Sequence, residues 1–213
     1  MSEGLPVTRW EREVNGDNWI AYRDRFAKLH ADGVDVDGEA RLVDALLPRQ
    51  GSVLDAGCGT GRVTAALTRR GHWAVGVDRD AGLVQVAAER YPNARYLVSD
   101  LLALTGDKLA AAGAPSRFDV VAVPGNVMVY LAPGTERDVL GVLAGLLKLG
   151  GRMVLGFATD REYSVAAFDA DVQAVGLRLD GRFASWQLDS WSEEAGWAVT
   201  LLTRPEPSGR PDV

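Results

Sequence analysis

Between residues 51 and 157, short apolar runs alternate with longer segments that have helical periodicity. The short runs predict five strands, at 51–56, 73–78, 95–99, 118–123 and 152–157, and the segments between them predict helices at 60–70, 81–90 and 136–149. The run at 118–123 (FDVVAV) is apolar on both faces, which is typical of a parallel strand covered on both sides. This alternation predicts right-handed βαβ units, and therefore an α/β fold.

The first fifty residues have a different pattern. Trp19, Tyr22, Phe26 and Leu29 recur at steps of three and four, which predicts an amphipathic helix, and a second helix is predicted at 39–47. We therefore predict that residues 1–50 form a helical cover over the ligand edge of the sheet. The alternative is that these helices only pack on the sheet.

After residue 158 the alternation weakens. A helix is predicted at 162–175, followed by an antiparallel pair of strands at 177–188 and 197–203. Burial on this strand pair is the preferred interpretation of Trp186, Trp191 and Trp197, and a substrate cage is the alternative. The proline-rich residues 205–213 predict a flexible tail, which leaves residues 51–204 as the main domain.

Composition narrows the class of protein. Cys58 is the one cysteine, so an intramolecular disulfide is impossible and a reducing compartment is favoured. We find no apolar leader in the first thirty residues and no run of ~20 apolar residues, so we predict a cytoplasmic location and no membrane partner. The formal net charge is −6, and the tightest basic pair is Arg69-Arg70, which predicts no nucleic-acid partner.

A glycine-rich loop follows the first predicted strand, in the segment VLDAGCGTG at 53–61. Gly57, Gly59 and Gly61 let the backbone turn sharply and let a ligand approach the helix N-terminus that follows. A dinucleotide fingerprint requires G-x-G-x-x-G, but Arg62 stands at the last position here. The tighter loop suits a carboxylate, and Asp55 is placed to meet an ammonium group, directly or through water. Together these groups would recognise an amino-acid head group such as that of methionine.

Two further acids stand at the ends of the next two predicted strands. Asp78 can accept hydrogen bonds from both ribose hydroxyls. Asp100 can accept the exocyclic amine of adenine, with Leu101 and Leu102 against the ring. Because carboxyl ends of neighbouring parallel strands meet at one sheet edge, all three signals converge on one ligand site.

These residues resemble the class I S-adenosylmethionine-dependent methyltransferase family. The matching segments, in order, are VLDAGCGTG at 53–61, VGVD at 75–78, VSDL at 98–101, FDVVAVPGNVMVYL at 118–131 and LLKLGGRMVLGF at 146–157. The resemblance implies a doubly wound, Rossmann-like sheet of seven strands, mostly parallel with an antiparallel last strand and helices on both faces. The cofactor would be S-adenosylmethionine, and S-adenosylhomocysteine the product.

The resemblance also implies which residues bind the cofactor. The methionine end of the cofactor would contact Asp55, Gly57, Cys58, Gly59 and Arg62. The ribose would contact Asp78 and Arg79, and the adenine would contact Asp100 and Leu101. The sulfonium end would lie at Val123, near Asn126. Cys58 is interpreted as a small packed residue rather than a reactive thiol. Glu39 either supports its helix start or contacts the cofactor.

The methyl acceptor is less constrained by the sequence. After the fourth strand, Val123-Pro124-Gly125-Asn126 departs from the Asn/Asp-Pro-Pro-aromatic motif of family members that methylate amino groups of nucleobases and of some proteins. This departure disfavours methylation of a nucleobase amino group. No cluster that would hold magnesium is evident, so we predict no metal. The catalytic residues are unknown; the candidates are Asn126, Tyr130 and Tyr22 as acceptor contacts and His30 as a general base. His72 is interpreted as structural.

The predicted function is methylation of an oxygen or nitrogen of a small molecule. Three alternatives stay open: a protein or RNA methyltransferase, a non-catalytic protein that binds S-adenosylmethionine or S-adenosylhomocysteine, and an NAD-dependent oxidoreductase. The oxidoreductase is disfavoured by the missing fingerprint glycine and by the lack of room for a second domain. Oligomeric state is not predicted.

Overall fold

A computed structural model describes residues 4–206 of the chain. Seven strands form one sheet in the order β3-β2-β1-β4-β5-β7-β6. Their bounds are β1 Ser52–Ala56, β2 Trp73–Asp78, β3 Arg95–Val98, β4 Phe118–Val123, β5 Leu147–Ala158, β6 Arg178–Phe183 and β7 Trp197–Thr203. β7 runs antiparallel to both of its neighbours, and the five strands from β1 to β5 pair in parallel. The predicted seven-stranded α/β sheet with an antiparallel last strand is confirmed.

Helices cover both faces of this sheet. Their bounds are α1 Arg9–Glu13, α2 Gly16–Ala31, α3 Gly38–Leu46, α4 Arg62–Arg69, α5 Ala81–Arg90, α6 Gly106–Ala111, α7 Val127–Tyr130, α8 Glu136–Leu146 and α9 Val165–Ala174, with a 3-10 turn at Leu101–Ala103. Two separate apolar cores result. One joins the sheet to α6–α9, and the other joins it to α3 and α4 through Ala40, Val43 and Val63.

The structure corrects several predicted boundaries. The helix predicted to reach residue 149 ends at Leu146, because Leu147 pairs with Phe118 and begins β5. Gly150 and Gly151 lie within that strand. A Cβ added at Gly151 would lie only 2.8 Å from the Lys148 carbonyl oxygen. The strand predicted to reach residue 188 ends at Phe183, because the chain turns back through Leu188, whose φ is +67°.

Three short helices were not predicted, namely α1, α6 and α7. They have between 4 and 6 residues, too few for an apolar periodicity to show. α1 does carry a readable start signal, a capping box in which Thr8 and Glu11 satisfy each other's backbone N–H groups.

The first three helices fall into two groups. α3 packs against α4 and buries Ala40 and Val43 completely. α1 and α2 contain no buried residue, and their side chains instead line a cavity at the carboxyl edge of the sheet. The division into a cover at 1–50 and a domain at 51–204 stays a prediction. Most of the predicted tail at 205–213 lies outside the described residues.

Candidate cofactor and acceptor site

A cavity of about 1340 Å³ opens at the carboxyl edge of the sheet. It exceeds the ~300–1,000 Å³ that is usual for one small ligand, so it has room for two. Its wall includes the glycine loop, the ends of β2 and β3, and the segment that follows β4. α1, α2 and residues 184–187 complete the wall.

The glycine loop is packed so tightly that side chains are excluded at two of its positions, Gly57 and Gly61. Gly57 has a φ of +76°, and a Cβ there would overlap the side chain of Val127 on α7. Gly61, with a φ of +81°, precedes α4, and a Cβ there would lie 2.6 Å from the Tyr96 hydroxyl. Only glycine combines this backbone conformation with this close approach.

Asp55 lies beneath the loop rather than in the cavity wall. It is completely buried, and its Oδ2 accepts hydrogen bonds from the backbone N–H (2.9 Å) and hydroxyl (2.6 Å) of Thr64, which anchors α4. Its Oδ1 has no partner among the described residues. Burial raises the pKa of this carboxyl to about 6. The predicted ammonium contact stays a prediction, and the free Oδ1 is the atom available for it.

Asp78 lines the cavity and is connected to the glycine loop. Its Oδ2 accepts the N–H of Gly59 at 2.8 Å, and its Oδ1 accepts the N–H of Asp80 at 2.9 Å. Burial raises the pKa of this carboxyl, and the backbone hydrogen bonds oppose that effect. Each oxygen keeps a second lone pair, so the group can still accept hydrogen bonds from two hydroxyls.

Arg79 and Asp100 form an ion pair in the same wall. The Arg79 guanidinium donates to Asp100 Oδ2 at 2.9 Å and to the Pro6 carbonyl at 2.8 Å, and it approaches Glu11 at 3.0 Å. Asp100 Oδ1 accepts the N–H of Leu102 at 2.8 Å. Arg79 therefore fixes the predicted adenine acceptor and at the same time ties it to the N-terminal segment.

Arg62 and Cys58 lie behind the cavity wall. The Arg62 guanidinium donates to both oxygens of Glu39, at 2.7 and 2.9 Å, and to the Val36 carbonyl, and it lies 4.4 Å from the centre of the Phe26 ring. Burial lowers the pKa of Arg62, but the carboxylate of Glu39 outweighs it and raises the pKa overall. Glu39 lines the cavity instead. Cys58 is buried, and burial raises the pKa of its thiol well above the usual value.

The candidates at the sulfonium and acceptor end divide into two groups. Asn126, Tyr130 and Tyr22 line the cavity, whereas His30 is exposed on α2 outside the lining. Asn126 Oδ1 accepts the N–H of Ala158 at 2.9 Å, which joins the ends of β4 and β5.

Val123 and Tyr22 have different relations to the cavity. Val123 is completely buried at the end of β4. Tyr22 lies over Gly59, where an added Cβ would be 3.0 Å from its hydroxyl. The Tyr22 side chain is half-buried, and desolvation of its hydroxyl together with the charge of Asp78 raises its pKa, so the hydroxyl stays protonated.

Several lining residues were not predicted. Trp10 packs edge-on against Tyr22 and Tyr130, at 4.7 and 5.5 Å between ring centroids. Trp186 and Trp197 also line the cavity. Both side chains also pack against the apolar core that contains α3 and α4, so burial is observed and the substrate cage stays a prediction. No periodicity marks any of these tryptophans, because they come from loops, a five-residue helix and a strand end.

Residues 4–206 contain neither a membrane-spanning helix nor a metal-binding cluster. None of the helices there is long and apolar enough to cross a membrane. No group of three or more His, Cys, Asp or Glu side chains in that range is placed to hold a metal ion.

Comparison with known proteins decides the family. Residues 53–151 match the family model described as a methyltransferase domain. A TehB-like SAM-dependent methyltransferase from Corynebacterium glutamicum superposes with a TM-score of 0.81 and 34% identity, over 89% of this chain and 100% of that one. This chain belongs to the S-adenosylmethionine-dependent methyltransferases. S-adenosylmethionine is accordingly the cofactor of this methyltransferase.

Curated relatives of the methyltransferase support the same family. An uncharacterised methyltransferase of Mycobacterium bovis is 37% identical over 55% of this chain and 57% of its own length. The magnesium-protoporphyrin O-methyltransferase of Rhodobacter capsulatus is 38% identical over 60% of this chain and 54% of its own. The chain thus spans about half the length of the curated relatives that it matches.

The residues of the cavity fit this cofactor. The acceptors Asp78 and Asp100 suit hydroxyl and amine donors, and the unpartnered Oδ1 of Asp55 lies beneath the loop where an ammonium would be expected. The placement of each predicted cofactor residue stays a prediction.

Proposed function

We propose that this methyltransferase transfers a methyl group from S-adenosylmethionine to an oxygen or nitrogen atom of a small molecule. The observation that carries the proposal is one cavity of about 1340 Å³ whose wall is acidic at the ends of β2 and β3 and aromatic elsewhere. The acidic part suits the donor, and the aromatic part suits an apolar, flat acceptor.

In the donor half, each residue has a separate task. Asp78 accepts hydrogen bonds from the ribose hydroxyls, while Asp100 accepts the exocyclic amine with Leu101 against the adenine ring. Asp55 balances the ammonium through the loop. The sulfonium end lies near Val123 and Asn126, at the end of the strand next to β1.

Methyl transfer requires alignment more than acid–base catalysis. The bound cofactor supplies a methyl group on a sulfonium, which is already a good leaving group. The chain holds the acceptor in line and excludes water, through Trp10, Tyr130 and Trp186 in the wall. Because its pKa is raised, Tyr22 serves as a hydrogen-bond donor rather than as a base.

A small acceptor is favoured over RNA or protein by two features. The formal net charge of −6 opposes binding to a phosphate backbone. The aromatic side chains line the cavity together with residues of α2 and residues 184–187, so an acceptor would enter the cavity to reach them. One relative is named for acting on magnesium-protoporphyrin, which is a flat small molecule.

Titration calorimetry with S-adenosylmethionine, S-adenosylhomocysteine and NAD tests the donor half. We expect the first two ligands to bind and NAD not to bind. Asp78→Ala should weaken binding by roughly 10- to 100-fold, because hydrogen bonds to a carboxylate are lost. Asp119→Ala is the matched control, because Asp119 is a carboxylate on β4 that accepts from the backbone of Ser52 at the opposite sheet edge. Equal binding by both variants would overturn the ribose assignment.

Radiolabelled methyl transfer tests the acceptor half. The protein is incubated with labelled S-adenosylmethionine and a cell extract divided by size. We expect label in the small-molecule fraction at the rate seen with whole extract. Label retained in RNA or protein would favour the alternative acceptors, and no transfer with any fraction would favour a non-catalytic binding protein.

A further inference from the structure

Asp80 stands between β2 and α5, two residues after Asp78, and makes contacts that the proposed reaction does not use. Its Oδ1 accepts the N–H groups of Gly82 (2.9 Å) and Leu83 (3.1 Å), which caps α5. Its Oδ2 accepts the indole N–H groups of Trp19 (2.7 Å) and Trp10 (3.3 Å). One carboxylate therefore joins α1, α2 and α5.

The surface around Asp80 is shaped for these indoles. Trp19 lies so close to α5 that a Cβ on Gly82 would be 2.9 Å from its ring. On the other side, Trp10 packs against Tyr22 and Tyr130 in the cavity wall. The position of that aromatic wall thus depends on contacts made at Asp80.

The N-terminal helices have few other attachments. None of the 16 residues of α2 is buried. α1 is additionally held by Arg9, which pairs with Glu136 at 2.8 Å, and by Glu11, which pairs with Arg79 at 3.0 Å. The stripe of α2 that faces the cavity is only half-buried, so directed hydrogen bonds contribute a larger share of its attachment than they would for a helix with a fully buried face.

We propose that Asp80 is a positioning residue: through its hydrogen bonds to Trp10 and Trp19 it fastens α1 and α2 over the cavity and thereby sets how long the cofactor stays bound. The effect on the cofactor rests on the proposed function, whereas the fastening itself does not. A single charged acceptor suits this role because both indole N–H groups donate to it, and a hydrogen bond to a charged group is stronger than one between neutral groups.

The substitution Asp80→Asn distinguishes the hydrogen bonds of Asp80 to the two indoles from its role as the N-cap of α5. Asparagine caps a helix as well as aspartate does, but its amide N–H₂ cannot accept from an indole. We expect hydrogen exchange of the backbone amides at 9–31 to accelerate about 10-fold or more, from the loss of hydrogen bonds to a charged group. Exchange in α5 should stay unchanged. Unchanged exchange at 9–31 would overturn the proposal.

The tryptophan variants keep the test independent of how asparagine orients. Trp10→Phe with Trp19→Phe removes both donors, retains aromatic packing and leaves the cap intact, and it should accelerate exchange at 9–31 to the same extent. Adding Asp80→Asn to this pair should produce no further acceleration, since the same hydrogen bonds are already absent. Fully additive effects would show that Asp80 acts only as a cap, and would overturn the proposal.

The consequence for the cofactor is measured separately. In Asp80→Asn, S-adenosylhomocysteine should dissociate about 10-fold faster, and the KM for S-adenosylmethionine should rise. The hydrogen-exchange experiment is performed without cofactor, so it tests the attachment of α1 and α2 even if the parent protein does not bind S-adenosylmethionine. Failure of the parent to bind would count against the proposed function alone, whereas binding with unchanged dissociation in the variant would count against the role of Asp80.

Discussion

Asp55 shows how the fold changes the chemistry of one residue. The same carboxyl that the sequence marks as a ligand contact is completely buried under the glycine loop, with a pKa of about 6. An unfolded chain would release this proton near pH 4. Between these values the native protein binds the proton more tightly than the unfolded chain does. Folding stability must therefore fall as the pH rises through this window.

We predict that Asp55→Asn removes this pH dependence. At pH values above the folded-state pKa, the buried, ionised carboxyl lowers the free energy of unfolding of the parent by about 3 kcal/mol. Below pH 4 it has no effect, because the carboxyl is protonated in both the folded and the unfolded state. Relative to the variant, the parent should therefore lose about 3 kcal/mol of unfolding free energy between pH 4 and pH 7. Urea unfolding of both proteins at pH 4, 5, 6 and 7 measures the difference. A difference that stays constant with pH would show that Asp55 is ionised throughout.

The residues that sequence could predict are those tied to a strand end. Asp78 and Asp100 stand where parallel strands terminate, so topology alone placed both in the cavity wall. Arg62 directly follows the glycine loop in sequence but points towards Glu39, 23 positions away, which no local pattern reveals. Asp80, Trp10 and Trp19 were missed because their contacts join segments more than 60 positions apart.

At the scale of elements, the Arg62–Glu39 pair attaches α3 to the start of α4. The two side chains are only 12% and 17% exposed, so neither is well solvated. Removing one partner of a buried pair leaves an uncompensated charge, which is more costly than losing an exposed pair. The pair therefore holds α3 against the layer that also contains the glycine loop.

We predict that Glu39→Ala lowers the free energy of unfolding by about 3 kcal/mol, because Arg62 keeps its charge without a carboxylate. Asp35→Ala is the matched control, because its pair with Arg41 is about half exposed on both sides (58% and 48%). The control should leave the urea midpoint unchanged. A Glu39→Ala midpoint equal to that of the parent would mean that water reaches Arg62 and compensates its charge.

The elements differ in how far sequence determines them. Strands β1 to β4 were predicted within one residue at either end, because a Gly, Asp or Pro stands at or within two residues of the carboxyl end of each apolar run. The end of α8 was predicted wrongly because Leu146 and Leu147 continue one apolar pattern, while the choice between helix and strand is made by pairing with Phe118. Strand pairing is a tertiary event, so local periodicity could not reveal it.

At the scale of the molecule, the cavity lies where the strand order reverses between β1 and β4. Doubly wound sheets bind ligands at such a point because the helices that follow the two strands lie on opposite faces. The wall is completed by residues from both ends of the described chain, from Thr8 to Trp197. The sequence located the sheet half of the site and predicted a helical cover, whereas the contacts of the N-terminal half depend on how α1 and α2 cross the sheet edge.

Because the cavity is bounded by the sheet, by α1 and α2, and by residues 184–187, ligand binding should stabilise the whole methyltransferase. At about 100 times its Kd, S-adenosylhomocysteine should add about 2.7 kcal/mol. For a chain of this size, that corresponds to a rise in Tm of about 5 to 10 °C. At the same concentration, the Tm of Asp78→Ala should rise by only about 1 °C if its Kd is 100-fold weaker, since the variant is then near half saturation.

Differential scanning calorimetry of both proteins, with and without ligand, measures these shifts in Tm. Equal shifts in the two proteins would place the ligand away from Asp78, and a shift with NAD equal to that with S-adenosylhomocysteine would show that the site recognises only the adenosine that they share.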